Sequence, residues 1–172
     1  MIFTPFLIEA APKGSEMVHN ILPFGKFESH ETHDLPAEKL DNHLVIIGYG
    51  FNGKNLANTA EYYNIPSVII EMNPQTVKRE KARGSNIIYG DASNETVLDH
   101  AGIRSAAIAV IVISDMEATR KIVEKVKEIN PAIHLIARTR FVTEIARLHD
   151  IGADEVIPEE FETSLKLFDK VL

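Results

Sequence analysis

Six residues, Gly48-Tyr49-Gly50-Phe51-Asn52-Gly53, follow the apolar run Leu44-Val45-Ile46-Ile47 and open an amphipathic stretch. Glycines at the first, third and sixth positions permit what no side chain does. Gly48 allows a tight turn, Gly50 lets main chain approach a diphosphate, and Gly53 lets a helix pack close against the preceding strand. An anion at such a turn meets N–H groups at the positive end of a helix, so it is held without a lysine. Glu71, with Met72 beside it, ends the next apolar run, Ser67-Val68-Ile69-Ile70. A carboxylate there accepts hydrogen bonds from ribose hydroxyls and repels a 2′-phosphate. Together, turn and carboxylate select NAD(H), ATP, ADP or AMP over the phosphorylated dinucleotide. They do not rank those ligands, because cradle and ribose acceptor serve all of them alike.

Further polar residues sit where a third, fourth and fifth strand would end. Asp91 and Ala92 follow Asn86-Ile87-Ile88-Tyr89, Ser114 and Asp115 follow the run from Ala107 to Ile113, and Arg138 follows Ile133 to Ala137. Open parallel sheets bind ligands at the carboxyl ends of their strands. Asp91 is thus placed near an adenine, and Ser114 and Asp115 beyond the diphosphate; for each aspartate the other reading is a helix cap. A guanidinium at Arg138 reaches a terminal phosphate or pairs with an acidic neighbour, and Arg140 is a weaker candidate for the same work. His134 and His149 read as partly buried packing residues without a catalytic partner. No catalytic residue and no metal site is expected.

The elements that must carry these residues are legible from periodicity. Four-residue β-branched runs alternate with amphipathic stretches, the pattern of a parallel sheet covered on both faces. Strands are expected at 44–47, 67–70, 86–89, 107–113, 133–137 and 155–157. Helices are expected at 52–63, with Leu56, Ala60 and Tyr63 on one stripe, then at 74–83, from a Ser93 cap to Ala101, at 116–129 with Ile122, Val126 and Ile129 inward, at 142–149, and at 160–171. Proline at 74 and glycine at 84 mark one helix's start and stop, and Pro131 blocks another. The expected architecture is α/β, a Rossmann-type doubly wound, six-stranded parallel sheet with helices on both faces.

With 172 residues and 45% hydrophobic content the chain can bury one sizeable core, so one domain plus a tail is expected. A net charge of −7 argues against a surface that neutralises phosphate backbones, and nucleic acid is excluded as a partner. No cysteine is present, which removes disulfide scaffolds, thiolate metal sites and cysteine nucleophiles. Residues 1–11 carry an apolar run far short of the roughly 20 residues that cross a bilayer, and read as the remnant of a membrane helix or as a tail. Residues 12–42 are broken by Pro12, Gly14, Pro23, Gly25 and Pro36 and read as a linker. Within the linker Glu28, His30, Glu31, His33 and Asp34 have ligand chemistry but no second rigid element to converge with, so they read as solvated.

Residues 43–158 resemble the RCK or KTN domain that regulates potassium channels, transporters and cation/proton antiporters. The resemblance rests on the glycine turn, Glu71, Gly90-Asp91-Ala92, Ile136-Ala137-Arg138 and Gly152-Ala153-Asp154-Glu155-Val156-Ile157-Pro158. It implies a regulatory domain, not an enzyme, on the cytoplasmic face of the cell membrane. Such a domain forms a homodimer partly through its last helix, here within 159–172, and gates a membrane pathway according to bound nucleotide. Thr4-Pro5-Phe6-Leu7-Ile8 is similar to the end of the last membrane helix in Kef-type cation/proton antiporters, which makes a membrane transport domain the implied partner, in the same chain or a separate one. The sequence departs from fuller family members in leaving no room for a second, smaller ligand-binding lobe. Two other functions are carried forward: a separate soluble subunit of a potassium channel or transporter, and an NAD-dependent oxidoreductase, which would need a substrate domain and a proton-transfer pair that the sequence does not offer.

Overall fold

A computed structural model describes residues 40–159. The expected readings for 1–39 (remnant, linker and its histidines) and for 160–172 (dimerisation helix) lie outside the described residues. Six strands form one sheet: β1 (Leu44–Ile47), β2 (Ser67–Glu71), β3 (Ile87–Tyr89), β4 (Ile108–Ile111), β5 (His134–Thr139) and β6 (Glu155–Pro158). All pairings are parallel, in the order β3-β2-β1-β4-β5-β6. Between them lie α1 (Phe51–Tyr62), α2 (Pro74–Lys81), α3 (Glu95–His100), α4 (Met116–Ile129), and a 3₁₀ turn (Val142–Glu144) running into α5 (Ile145–Asp150).

Alternation along the strands divides the core in two, because successive side chains point to opposite faces. Leu44, Ile46, Ile69 and Ile87 join Tyr49, Ala60 and Val77 under α1 and α2. Val45, Ile47, Val68, Ile70, Ala109, Ile111, Leu135 and Ala137 join Leu98, Ile122, Val123, Val126 and Leu148 under α3, α4 and α5. Each fully buried Ile, Leu or Val side chain stabilises this packing by about 1.5–3 kcal/mol. The connections run outward from β1 in one direction and from β4 in the other, so the carboxyl ends of β1 and β4 flank the point where the winding reverses. That is where a doubly wound sheet opens a crevice.

Several boundaries differ from the sequence reading. The linker reading extends to 42, yet Leu40 packs against the core, Ser105 Oγ donates to the Leu40 carbonyl at 2.9 Å, and Asn42 N–H donates to Ser105 at 2.8 Å. β4 stops at Ile111, two residues before the apolar run ends, since the chain must turn into the crevice there. α3 is capped by Asn94, whose side chain accepts from the Thr96 amide at 2.9 Å; Ser93 instead donates its own amide to Asp91. Tyr63 ends α1 as an exposed cap rather than an inward stripe residue. His134 is exposed and bonded to Glu155 at 2.9 Å, and His149 is an exposed residue bonded to the Ala153 carbonyl at 2.8 Å; neither packs inside.

Candidate functional site

The turn from β1 into α1 is shaped by what its glycines exclude. Gly48 has φ +101°, a left-handed conformation, and a Cβ on it would stand 2.8 Å from Ile113 Cγ2. A Cβ on Gly53 would stand 1.9 Å from the Gly48 carbonyl oxygen, so helix and turn touch backbone to backbone. Gly50 faces the other way: nothing lies within 4 Å of where its Cβ would be. Its role is to leave space, and the space opens toward the crevice.

Gly50 is the N-cap of α1, where no side chain supplies a cap and no acid occupies the first turn. The Lys54 amide donates to the Gly50 carbonyl at 2.9 Å, so the amides of Phe51, Asn52 and Gly53 precede that first rung of the helical ladder. The other helices that follow strands β2, β3 and β4 are closed by their own side chains: Asn73 on α2, Asn94 on α3 and Asp115 on α4.

Glu71, at the end of β2, is drawn to the turn from one side. Its Oε2 accepts from the Tyr49 amide at 2.7 Å and its Oε1 from the Asn73 amide at 2.7 Å. Each carboxylate oxygen has capacity for further donors, so sugar hydroxyls can share it. On the far side a crevice of about 350 Å3 is lined by Gly50, Phe51, Asn52, Val112, Ser114, Arg138, Arg140 and Glu159. Arg138 is fixed there twice. Its Nη1 pairs with Glu159 at 2.9 Å, and the Asn52 amide, with its oxygen turned to the guanidinium, accepts from Nε at 2.8 Å and Nη2 at 2.9 Å. A site of this form offers main-chain N–H groups to a phosphate, a carboxylate to vicinal hydroxyls and a guanidinium to a further anionic group.

Gly50, Phe51, Asn52, Ser114 and Arg138 line one crevice, Gly48 and Gly53 form the turn beside it, and Glu71 is bonded to that turn through the Tyr49 amide, with Met72 exposed next to it. Tyr49, Ala92 and Asp91 stand differently, and Asp115 takes its helix-cap reading. The Tyr49 ring turns away into the core at 9% exposure, leaving only its backbone on the site. The Ala92 side chain is buried in the opposite core cluster. Asp91 Oδ1 accepts from the Ser93 amide at 2.8 Å, and Asp115 Oδ1 caps α4 through the Ala118 amide at 2.9 Å, so one oxygen of each aspartate serves its own backbone. Val112 and Glu159 were missed. Val112 hides in an apolar run that reads as strand, and Glu159 is signalled only by its position directly after the last strand.

Fold and turn define an α/β domain of Rossmann type. Residues 44–159 match the family model described as the TrkA-N domain. The chain belongs to the TrkA-N domain family. Among curated relatives, it is 28% identical to the chloroplastic K(+) efflux antiporter 3 of Arabidopsis thaliana over its full length and 23% of the relative's. It is 31% identical to the putative cation/proton antiporter YbaL of Escherichia coli, over 70% of this chain and 22% of that one. The chain thus spans under a quarter of the length of these relatives. Among solved structures, the TrkA-N domain of inner membrane protein YbaL from Escherichia coli superposes with a TM-score of 0.74 at 28% identity, covering 77% of this chain and 98% of that one. The Kef C-terminal domain of Shewanella denitrificans, in an AMP-bound form, gives 0.65 at 23% identity over 73% and 76%. The GsuK channel bound to NAD gives 0.67 at 19% identity over 89% and 28%. No helix among the described residues is long and apolar enough to cross a membrane.

Proposed function

We propose that this chain is the nucleotide-sensing regulatory domain of a Kef-type cation/proton antiporter on the cytoplasmic face of the membrane. NAD(H) or an adenine nucleotide (AMP, ADP or ATP) sits with its phosphate on the β1–α1 turn and its ribose on Glu71. The observation that carries this reading is the open start of α1: a glycine N-cap with free space around it, facing a crevice bounded by Arg138, while α2, α3 and α4 close theirs with side chains. Support comes from relatives that are cation or potassium antiporters and from structural neighbours bound to AMP and NAD.

The domain acts by binding rather than by turnover. Of the charged groups lining the crevice, Arg138 and Glu159 are paired with each other, and the Arg140 guanidinium offers N–H donors and no acceptor. None is placed as a proton carrier for hydride chemistry. Regulation then requires that nucleotide stabilise one arrangement of a homodimer over another, since only unequal affinity shifts an equilibrium between states. That arrangement acts on the attached membrane transport domain.

Calorimetry with NAD, NADH, AMP, ADP and ATP tests the binding. A ligand at one hundred times its Kd should stabilise the fold by about 2.7 kcal/mol, and small-angle scattering should show a changed dimer envelope. Uptake of none of the five would sink the proposal; uptake with an unchanged envelope would remove the switch and keep the site. Glu71→Gln is expected to weaken all five and to narrow discrimination against NADP.

A further inference from the structure

Tyr49 is tied at both ends. Its amide donates to Glu71 at 2.7 Å, and its ring crosses the core beneath α1 and α2 to bring Oη within 3.5 Å of Glu80 Oε2, the outer limit of a hydrogen bond. Glu80 is 3% exposed, a buried carboxylate on α2. Arg79 Nε donates to its Oε1 at 2.7 Å and Arg83 Nη1 at 3.2 Å, both from α2 or its end. From α1, Lys54 and Glu61 face the same cavity of about 420 Å3, which Asn58, Ser85 and Asn86 complete. The hydrogen bond from Arg79 holds the Glu80 carboxyl below its ordinary range despite burial, and burial together with Glu80 pushes the Tyr49 phenol up.

A buried carboxylate with two cationic partners adds little that an apolar residue of the same size would not, so packing alone gives no reason for it. Its placement does. Glu80 receives the one polar atom of the one side chain that leaves the glycine turn for the core, and the main chain of that same residue is bonded to Glu71. A ligand whose hydroxyls engage Glu71 is therefore felt at the Tyr49 amide, and through the ring at α2. Fixing the ring restrains the residue that leads directly into Gly50, the N-cap of the open helix end.

We propose that Glu80 is a positioning residue for the nucleotide: through the Tyr49 phenol it holds the Tyr49 amide on Glu71 and so sets the phosphate turn and the ribose acceptor together. This rests on the nucleotide reading above. Tyr49→Phe keeps the ring and removes the contact, and Glu80→Gln keeps the shape and removes the charge. In the 172-residue chain, each is expected to raise the Kd for AMP or NAD about three- to tenfold, the scale of one hydrogen bond. The double variant should be no weaker than the weaker single one, as for residues acting in one chain of contacts.

Amide exchange by NMR supplies a readout that loss of packing would not reproduce: the Tyr49 amide should exchange faster in both variants while the amides of Ile46 and Ile69 keep their protection. If Glu80→Gln fails to fold, Tyr49→Phe, which removes only an oxygen, carries the test. A wild-type chain that takes up no nucleotide overturns the proposed function and this assignment with it. A wild-type chain that binds, beside a Tyr49→Phe variant with unchanged Kd and unchanged Tyr49 exchange, overturns this assignment alone.

Discussion

The turns that follow β1 and β4 occupy neighbouring positions in one sheet and solve the same problem in opposite ways. Both must end a buried strand and start a helix whose first amides lack acceptors. After β4 the chain supplies its own anion: Asp115 caps α4, and Glu117 adds charge in the first turn. After β1 it supplies none, using Gly50 as N-cap and leaving the helix end toward open space. A closed helix end contributes stability, whereas an open one leaves stability to be supplied by whatever anion arrives. The same division runs through the packing. Gly48 and Gly53 are pressed against backbone and core, so only the middle glycine of the three is free to face a ligand.

The largest expected effect breaks the close approach itself. Gly53→Ala puts a methyl 1.9 Å from a backbone oxygen, and should cost roughly 3 kcal/mol or more, in the upper tail of single substitutions, read by denaturant unfolding. Next comes exchanging the two solutions. Gly50→Asp gives α1 the kind of cap that α4 has, so the fold should keep its stability or gain a few tenths of a kcal/mol. Nucleotide affinity should nevertheless fall at least tenfold, about 1.4 kcal/mol, because a carboxylate now stands in the phosphate position. Unchanged affinity in this variant would show that the two helix ends do not differ in the way argued. The converse, Asp115→Ala, should cost about 1 kcal/mol of stability and change nucleotide affinity far less than Gly50→Asp does.

The smallest effect concerns the far edge of the β4–β6 half. Lys127 Nζ bonds both the Ile133 carbonyl and Asp154 Oδ2 at 2.7 Å, and the Leu135 amide reaches the same oxygen at 2.7 Å. Burial pushes the Asp154 carboxyl up, but the hydrogen bonds from Lys127 and Leu135 outweigh it and its pKa lies below the ordinary value. A carboxylate lowered by folding adds stability above its unfolded pKa and loses it as the pH falls through the folded one. Asp154→Asn should therefore lower Tm at pH 7, and the gap from wild type should close as melting is repeated below about pH 4, the ordinary aspartate range. A gap that stays constant with pH would remove the charge from the explanation.

Much of the framework follows from local chemistry and was legible for that reason. Apolar, β-branched runs mark all six strands within a residue or two, and the glycine spacing marks the turn, because both signals are carried by neighbours in sequence. The register of β4 was overrun at Val112 because an apolar run does not say where its ladder stops. Helix caps are legible only to within a residue, as Asn94 in place of Ser93 shows, since either side chain can serve and the turn geometry chooses.

From sequence alone come the alternation of strands and helices, the glycine turn and the acidic residue one strand away, each fixed by side-chain size, periodicity or backbone conformational freedom within a short span. The tertiary structure alone decides which distant groups meet: Arg138 with Asn52 and Glu159, Tyr49 with Glu80, Lys127 with Asp154. Those pairings join residues 21 to 86 positions apart, taking Glu159 to Arg138 and Arg138 to Asn52 as the extremes. They depend on how two strand ends are stacked across a sheet, a distance that no periodicity records.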